Sequence, residues 1–276
     1  MFSSKRSRSA TARDAASASG ATPSGTLVCW DFDWSLINEN SDTYILEQLN
    51  KTVAERMEVK CRRGGLGWTQ LMDWAVGELH TAGHTPQEMK DALVGVPILK
   101  GALDALEAAS AAGAEQRILS DANSVYIESI LEGRGLAGKI STVVTNPASF
   151  ATSGRLCIKP HQPTSLPHNC PNCPPNLCKG AVLEGWLSDV NPARVIYIGD
   201  GGGDFCPATR LREGDYLLAR KPPHDGMLRS CRRSPDEVRC QIIEWGGLSD
   251  PQGEALAEGM RVALGLEEGG GGEDGR

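Results

Sequence analysis

The stretch TLVCWDFDWSLINENSDTYI, residues 26–45, decides the fold. It begins with apolar, β-favouring residues, and this run stops at Asp31-Phe32-Asp33. Alternate residues of an extended chain point to the same side, so the carboxylates of Asp31 and Asp33 can face one small volume. Two acids at that distance raise each other's pKa unless a cation lies between them. The pattern therefore predicts a Mg²⁺ site at a strand end, or else an exposed turn that carries two acids.

Length and charge limit the classes of function. A chain of 276 residues is long enough for one domain with an insertion or for two small domains. Its net charge of -7 argues against a nucleic-acid partner, and no run of about 18 apolar residues predicts a membrane span. A metal ion can still reverse the local field. An anionic small molecule therefore remains possible as the substrate.

Cysteine usage and the two ends of the chain bear on location. The nine cysteines are odd in number and mostly scattered, which fits a reduced, cytoplasmic compartment better than a disulfide framework. Residues 1–24 are rich in Ser, Ala and Arg, so they form either a disordered tail or a transit-like segment for an organelle. Residues 266–276 read as a disordered tail of Gly and acidic residues.

Strands and helices alternate along the chain. This alternation predicts an α/β fold, a doubly wound parallel sheet with helices on both faces. Strands are expected at 26–31, 116–121, 140–144 and 193–198, with a fifth at 216–219, and helices over much of 66–110, at 124–133 and from residue 179. The predicted organisation is a core of 25–40 and 101–265, a helical cap of 41–100 inserted after the first strand, and a flap-like excursion at 145–178.

Three further polar groups fall where strands end or helices begin. GDGGGD at 199–204 supplies Asp200 and Asp204, and its glycines let the backbone pass close to an ion or a phosphate. Ser120 ends a strand, and Lys179 opens a helix, where a cation is unfavourable without a nearby anion. Taken singly, these are also ordinary turn, cap and surface residues. Ligands of such sheets bind at the carboxyl ends of the strands, where the strand-end groups would meet.

The order of these motifs resembles the four-motif signature of the haloacid dehalogenase (HAD) superfamily of phosphatases. The segments WDFDWSLINENSDTYI, ILSDANSVYIESIL, NCPNCPPNLCK and YIGDGGGDFCPATRL are similar to the phosphoethanolamine/phosphocholine phosphatase family, including its plant-type, thiamine phosphate phosphatase-like or pyrophosphate-specific branch. The resemblance covers roughly residues 26–220. It implies a HAD-like, Rossmannoid fold with a Mg²⁺-dependent site.

The resemblance also implies residue roles. Asp31 would be the nucleophile that forms an aspartyl-phosphate, and Asp33 would be the general acid and base. Ser120 and Lys179 would hold the phosphoryl oxygens. The ligands of Mg²⁺ would be the Asp31 carboxylate, the Asp33 main-chain carbonyl and Asp200, with Asp204 binding or orienting the ion's waters. The bulky Trp34 between Asp33 and Ser35 departs from the wider superfamily pattern.

Substrate recognition is expected beside these motifs. The resemblance implies that Ser35, also a candidate substrate residue, hydrogen-bonds back to the nucleophile's loop. Asp42, Asp121 and Asn123 follow the two strand ends closely enough to touch a substrate. The aromatic rings of Trp34 and Trp68 offer faces to a cationic leaving group. For the residues that follow the strands, helix capping is an equally good interpretation.

The segment before Lys179 contains a second candidate metal site. CPNC has the two-residue spacing of zinc ligands, so Cys170, Cys173, Cys178 and His168 are the candidate ligands of a structural Zn²⁺. Alternatively, the prolines of this segment stiffen it without a metal.

The sequence thus predicts a Mg²⁺-dependent phosphatase for a small phosphorylated metabolite, with phosphocholine, phosphoethanolamine and thiamine monophosphate as the first candidates. The alternatives are a phosphotransferase or pyrophosphatase on the same fold and a zinc-dependent interaction module.

Overall fold

The structure is a computed structural model that describes residues 25–163 and 165–266. The predicted tail at 1–24 lies outside the described residues, as does the predicted tail at 266–276 apart from Leu266. The strands are β1 (Thr26–Trp30), β2 (Glu115–Asn123), β3 (Thr142–Asn146), β4 (Ala148–Phe150), β5 (Leu156–Ile158), β6 (Arg194–Gly199), β7 (Tyr216–Arg220) and β8 (Gln241–Trp245).

Helices fill most of the intervals between these strands. They are α1 (Ser41–Leu49), α2 (Lys51–Arg63), α3 (Trp68–Thr81), α4 (Pro86–Val94), α5 (Lys100–Ala111), α6 (Ser124–Gly133), α7 (Lys179–Val190), α8 (Phe205–Ala208), α9 (Gly226–Arg233) and α10 (Glu254–Leu264). Within the described ranges, no helix is both long and apolar enough to cross a lipid bilayer.

A parallel sheet of six strands forms the centre, in the order β3-β2-β1-β6-β7-β8. Strand β1 therefore lies inside the sheet, and its end is close to those of β2 and β6. Its side chains alternate between two cores, with Val28 and Trp30 in one and Leu27 and Cys29 in the other. Helices cover both faces of the sheet, which confirms the predicted doubly wound α/β fold.

Four helices, α1–α4, occupy residues 41–94 between β1 and α5. Local sequence explains where they begin. The Asn40 side chain accepts a hydrogen bond from the backbone of Thr43 to cap α1. Thr85, which precedes Pro86, forms a capping box with Glu88 in the first turn of α4. The helices expected in this region are confirmed. That residues 41–100 act as an inserted cap stays a prediction.

Two elements differ from the expectations. Strand β8 was not predicted, because Gln241, Ile242 and Glu244 are exposed along this edge strand and give no apolar run. Strands β4 and β5 form a short antiparallel hairpin inside the predicted flap at 145–178. The Arg155 guanidinium joins this hairpin to α3 through the Asp73 carboxylate, at 2.9 and 3.2 Å.

Candidate active site

Asp31 follows β1 directly, and its backbone N–H donates to the carbonyl of Ile198 at 2.9 Å. The chain then makes a tight irregular turn over residues 32–36, in which Trp34 has a φ of 56°. The Trp34 carbonyl accepts a hydrogen bond from Arg220, and its ring stacks on His224 with centroids 3.7 Å apart. This turn places the carboxylates of Asp31 and Asp33 at one cavity, as the sequence predicted.

Asp200 and Asp204 reach the same cavity from the end of β6. Carboxylate oxygens of Asp31, Asp200 and Asp204 all lie within 4.8 Å of one another. Gly199 makes this possible, because a Cβ at that residue would lie only 2.7 Å from Cγ of Asp204. The glycine thus allows the Asp204 carboxylate to fold back against the strand that precedes it.

Lys179 begins α7 and is almost completely buried. Its Nζ lies 2.9 Å from Oδ1 of Asp31, 2.8 Å from Oδ1 of Asp204 and 4.0 Å from Oδ2 of Asp121. Burial acts to lower the pKa of Lys179, but the carboxylates of Asp204 and Asp31 raise it well above its ordinary value. The cation at this helix N-terminus therefore has the anionic partners that the sequence led us to expect.

The buried acidic groups outnumber this lysine, and the pKa values of two of them are raised. Burial and the neighbouring Asp204 raise the pKa of Asp31 to about 8, against the opposing effect of Lys179. Burial, followed by the charge of Asp31, raises the pKa of Asp200 well above its ordinary range. A divalent cation would relieve this repulsion, and carboxylate oxygens are the ligands that Mg²⁺ prefers. The donor set therefore fits the Mg²⁺ ion predicted from the sequence.

A cavity of about 170 Å³ opens onto these groups. Ser120 lines it, and the Ser120 Oγ accepts a hydrogen bond from the Ala122 N–H at 3.1 Å. The prediction that Ser120 ends a strand is wrong, because β2 continues to Asn123. The structure thus brings all the predicted catalytic and Mg²⁺ residues to one cavity: Asp31, Asp33, Ser120, Lys179, Asp200 and Asp204.

Comparison with known families identifies the family to which the chain belongs. A family model described as Putative Phosphatase matches residues 26–257, which is most of the chain. The chain belongs to this phosphatase family of the HAD superfamily. The predicted family relationship and the prediction of a phosphomonoester hydrolase are both confirmed.

Several named relatives are similar to this phosphatase over most of their length. A thiamine phosphate phosphatase-like protein of Arabidopsis thaliana is 34% identical, over 82% of this chain and 92% of its own. Inorganic pyrophosphatase 2 of the same plant is 32% identical, over 88% and 86%. A pyridoxal phosphate phosphatase of Bos taurus is 34% identical, over 79% and 92%.

Solved structures agree on the fold. A HAD family hydrolase from Salmonella enterica serovar Typhi superposes with a TM-score of 0.55 at 15% identity, over 86% of this phosphatase and 71% of that chain. A phosphoserine phosphatase in its apo form gives a TM-score of 0.51 at 15% identity, over 79% and 94%. At this level of identity the likeness establishes the HAD-like fold alone.

Two of the predicted substrate residues line the cavity of the phosphatase. Asp42, on α1, accepts a hydrogen bond from Nε1 of Trp68 at 2.7 Å, and burial raises its pKa to about 6. Asp121 accepts from Nδ2 of Asn176 at 2.8 Å. The exposed Trp68 ring lies beside them in the cavity wall. Asp42 and Asp121 therefore share this cavity with Asp31.

Asn123 and Ser35 do not line this cavity. Asn123 is fully buried, and its Oδ1 accepts from the Tyr126 N–H at 3.1 Å, so it caps α6. Ser35 is also buried, and its Oγ has no hydrogen-bond partner among the described residues, including those of the nucleophile's loop. For Asn123, the structure favours the helix-capping interpretation over contact with a substrate.

Sequence reasoning missed Tyr197 as a residue of the site. It lies in the middle of β6, where it resembles a core residue, but its hydroxyl donates to Oδ1 of Asp204 at 2.7 Å. The available signal was a polar aromatic residue inside an otherwise apolar strand, because a buried tyrosine hydroxyl usually needs a partner.

The candidate zinc segment also differs from the expected ligand set. Cys206 joins three of the predicted cysteines to form a group, called here the thiol cluster: Cys170, Cys173, Cys178 and Cys206, with all four sulfurs within 4.8 Å of one another. His168 is not in this cluster. Its Nδ1 accepts from the Cys170 N–H at 3.0 Å, and its Nε2 lies 2.9 Å from the Pro174 carbonyl oxygen.

Proposed function

We propose that this phosphatase hydrolyses a small phosphomonoester through a phosphoryl intermediate on Asp31, with Mg²⁺ as its cofactor. One observation carries the proposal. The Asp31 carboxylate lies 2.9 Å from the ammonium group of the buried Lys179 and within 4.8 Å of carboxylate oxygens of Asp200 and Asp204, and all four residues line the cavity. A nucleophile that must approach an anionic phosphate needs such neighbouring positive charge.

In the first half of the reaction, Lys179 and the Ser120 hydroxyl bind the phosphoryl oxygens and orient the ester. An Asp31 carboxylate oxygen attacks phosphorus, and the bond from phosphorus to the ester oxygen breaks. Asp33 gives its proton to the departing oxygen. Burial, then the nearby charge of Asp42, raises the pKa of Asp33 to about 8, which favours the protonated carboxyl that a general acid needs. The charge of Lys179, by contrast, opposes protonation of Asp31.

In the second half, Asp33 is left ionised and acts as the base. It takes a proton from a water molecule as the water oxygen attacks phosphorus. The bond between phosphorus and Asp31 breaks, which releases inorganic phosphate and restores the Asp31 carboxylate. Lys179 remains beside Asp31 throughout, so its charge favours both the attack and the return of the free carboxylate.

For the metal, we propose Asp31, Asp200 and the Asp33 main-chain carbonyl as direct ligands, with Asp204 outside them. When bound, Mg²⁺ would neutralise charge on the phosphoryl oxygens and on Asp31. Asp204 is excluded from direct ligation because its acceptor positions are filled. Its Oδ1 accepts from Lys179 and Tyr197, and its Oδ2 accepts from the backbone N–H groups of Asp200 and Gly201.

The cavity supports a small substrate with a cationic leaving group. Its volume of about 170 Å³ has room for a phosphate and for part of a leaving group beside it. Asp42 and the Trp68 ring adjoin this space, and a carboxylate with an aromatic face is a binding site for ammonium groups. We therefore propose phosphocholine, phosphoethanolamine or thiamine monophosphate, with the helices of residues 41–100 acting as a cap that excludes large substrates.

Pyrophosphate is the second candidate substrate, because Arabidopsis relatives named inorganic pyrophosphatases are 32% and 35% identical to this chain. Asp42 distinguishes the two cases, since a carboxylate attracts an ammonium group and repels a second phosphate.

The test is phosphate release from a panel of these esters and pyrophosphate, with and without Mg²⁺, for the wild type and Asp42→Asn. We expect Mg²⁺-dependent release in water without an added acceptor alcohol, and a higher KM for cationic esters in the variant. Faster pyrophosphate hydrolysis than ester hydrolysis, with KM lowered by Asp42→Asn, would favour the second candidate. No release from any of these substrates would refute both.

A further inference from the structure

The proposed phosphatase mechanism does not use the thiol cluster. Three of its cysteines come from the segment that precedes α7, and Cys206 comes from α8. Cys178 and Cys206 are buried, while Cys170 and Cys173 are half-buried. All four are free thiols in the structure.

We propose that the thiol cluster binds one structural zinc ion. A tetrahedral ion with zinc–sulfur distances of about 2.3 Å holds its sulfurs about 3.8 Å apart. The sulfurs of Cys170 and Cys206 are 3.6 Å apart, and no pair in the cluster exceeds 4.8 Å. A disulfide needs sulfurs about 2.05 Å apart and joins two cysteines only, whereas this arrangement brings four together.

The backbone around the cluster supports thiolate ligands. The N–H groups of Gly180 and Ala181, in the first turn of α7, act to lower the pKa values of Cys206 and Cys178. Such N–H groups, together with the positive end of a 12-residue helix, stabilise negatively charged sulfur. Zinc would replace the four thiol protons, which pass to solvent.

Gly180 is a second sign that the sulfurs have a fixed position. A Cβ on Gly180 would lie 2.4 Å from the Cys206 sulfur, so any other residue there would push the sulfur away. The chain therefore leaves one face of α7 bare where Cys206 approaches it. This close approach brings α8 against the start of α7 and completes the fourth corner of the site.

The ion would fix two residues of the phosphatase site. Lys179 directly follows Cys178, and Cys206 is two residues after Asp204. The Lys179 Nζ and the Asp204 Oδ1 are 2.8 Å apart, so they join the same two elements that the ion would cross-link. Zinc would thus be a positioning element for the catalytic lysine and not a participant in the chemistry.

Elemental analysis of purified full-length protein, dialysed into zinc-free buffer with Mg²⁺, tests the proposal without any activity measurement. We expect one equivalent of zinc per chain in the wild type and in the control Cys61→Ser, whose thiol is exposed and outside the cluster. Cys170→Ser and Cys206→Ser should lose it. Cobalt exchanged into the wild type should show the charge-transfer absorption of thiolate ligands.

The wild type alone also gives a decision if the serine variants do not fold. Modification of its thiols should release zinc to a chromophoric chelator, and removal of the zinc should lower the melting temperature. A wild type without zinc, with iron in its place, or with these cysteines paired as disulfides would overturn the proposal, as would zinc retained in both serine variants. Because none of these measurements uses turnover, they stand whether or not the proposed phosphatase mechanism is correct.

Discussion

Asp204→Asn tests whether this residue orients the site or binds the metal. The Asp204 carboxylate accepts four hydrogen bonds, two at each oxygen, from Lys179, Tyr197 and two backbone N–H groups. An asparagine amide has one oxygen and one NH₂ group. Two of the four groups that donate to Asp204 would therefore face the NH₂ group, which is itself a donor and cannot accept their hydrogen bonds. Lys179 would also lose one of its two close anionic partners.

The expected loss follows from these contacts. Each hydrogen bond to a charged group contributes about 1.5–3 kcal/mol, so two lost bonds amount to about 3–6 kcal/mol. If that loss falls on the transition state, kcat/KM drops by about 10²–10⁴-fold. Tyr197→Phe is the matched control. It removes one bond and leaves the lysine pair intact, so its loss should be about 10–10²-fold.

The assay is phosphate release as a function of Mg²⁺ concentration, with the melting temperature as a check on folding. If Asp204 lies outside the ligand set, the kcat of Asp204→Asn stays low at saturating Mg²⁺. Asp200→Asn, which removes a proposed ligand, should chiefly raise the Mg²⁺ concentration that is needed. Recovery of nearly wild-type kcat by Asp204→Asn at high Mg²⁺ would show that Asp204 binds the ion directly, and would refute the reasoning.

Three other predictions concern the carboxylates of the cavity. Asp31→Asn should abolish phosphate release, and substantial remaining turnover would contradict the covalent mechanism. The substitution should not lower the melting temperature, because it removes a buried carboxyl group whose pKa burial raises to about 8. Asp42 gains its proton as the pH falls through about 6, so the KM for phosphocholine should rise below that pH in the wild type but not in Asp42→Asn. If KM depends on pH in the same way in both proteins, Asp42 does not bind the cationic group. Without metal, the raised pKa values of Asp31 and Asp33 give stability that is present at low pH and lost as pH rises through about 8. Added Mg²⁺ should therefore raise the melting temperature more at pH 8 than at pH 6, and an equal rise would exclude these carboxyl groups from the binding site.

Much of the sheet could be predicted because its inner strands are buried on both faces and end in polar residues. β1 has this pattern, with a fully buried run that stops at Asp31. The edge strand β8 lacks it, since most of its side chains are exposed. The hairpin strands β4 and β5 have three residues each, too few to show alternation.

The residues nearest the cavity were found because they follow an apolar run or begin a helix, as Asp31 after β1 and Lys179 at the start of α7 do. Contacts that depend on tertiary packing could not be found in this way. Trp68 reaches Asp42 across 26 residues, and Tyr197 lies inside a strand. Cys206 is 28 residues beyond Cys178, within a motif that already had another interpretation, so the nearer His168 was predicted in its place.

The fluorescence of the Trp68 indole can report whether the cavity is occupied. Its Nε1 is bonded to Asp42 while 41% of the residue remains open to water, whereas Trp30 and Trp245 are completely enclosed. A molecule that occupies the cavity must change the polarity around this ring and disturb that bond. Tryptophan emission should therefore shift on occupancy, so affinities can be measured for compounds that are never turned over.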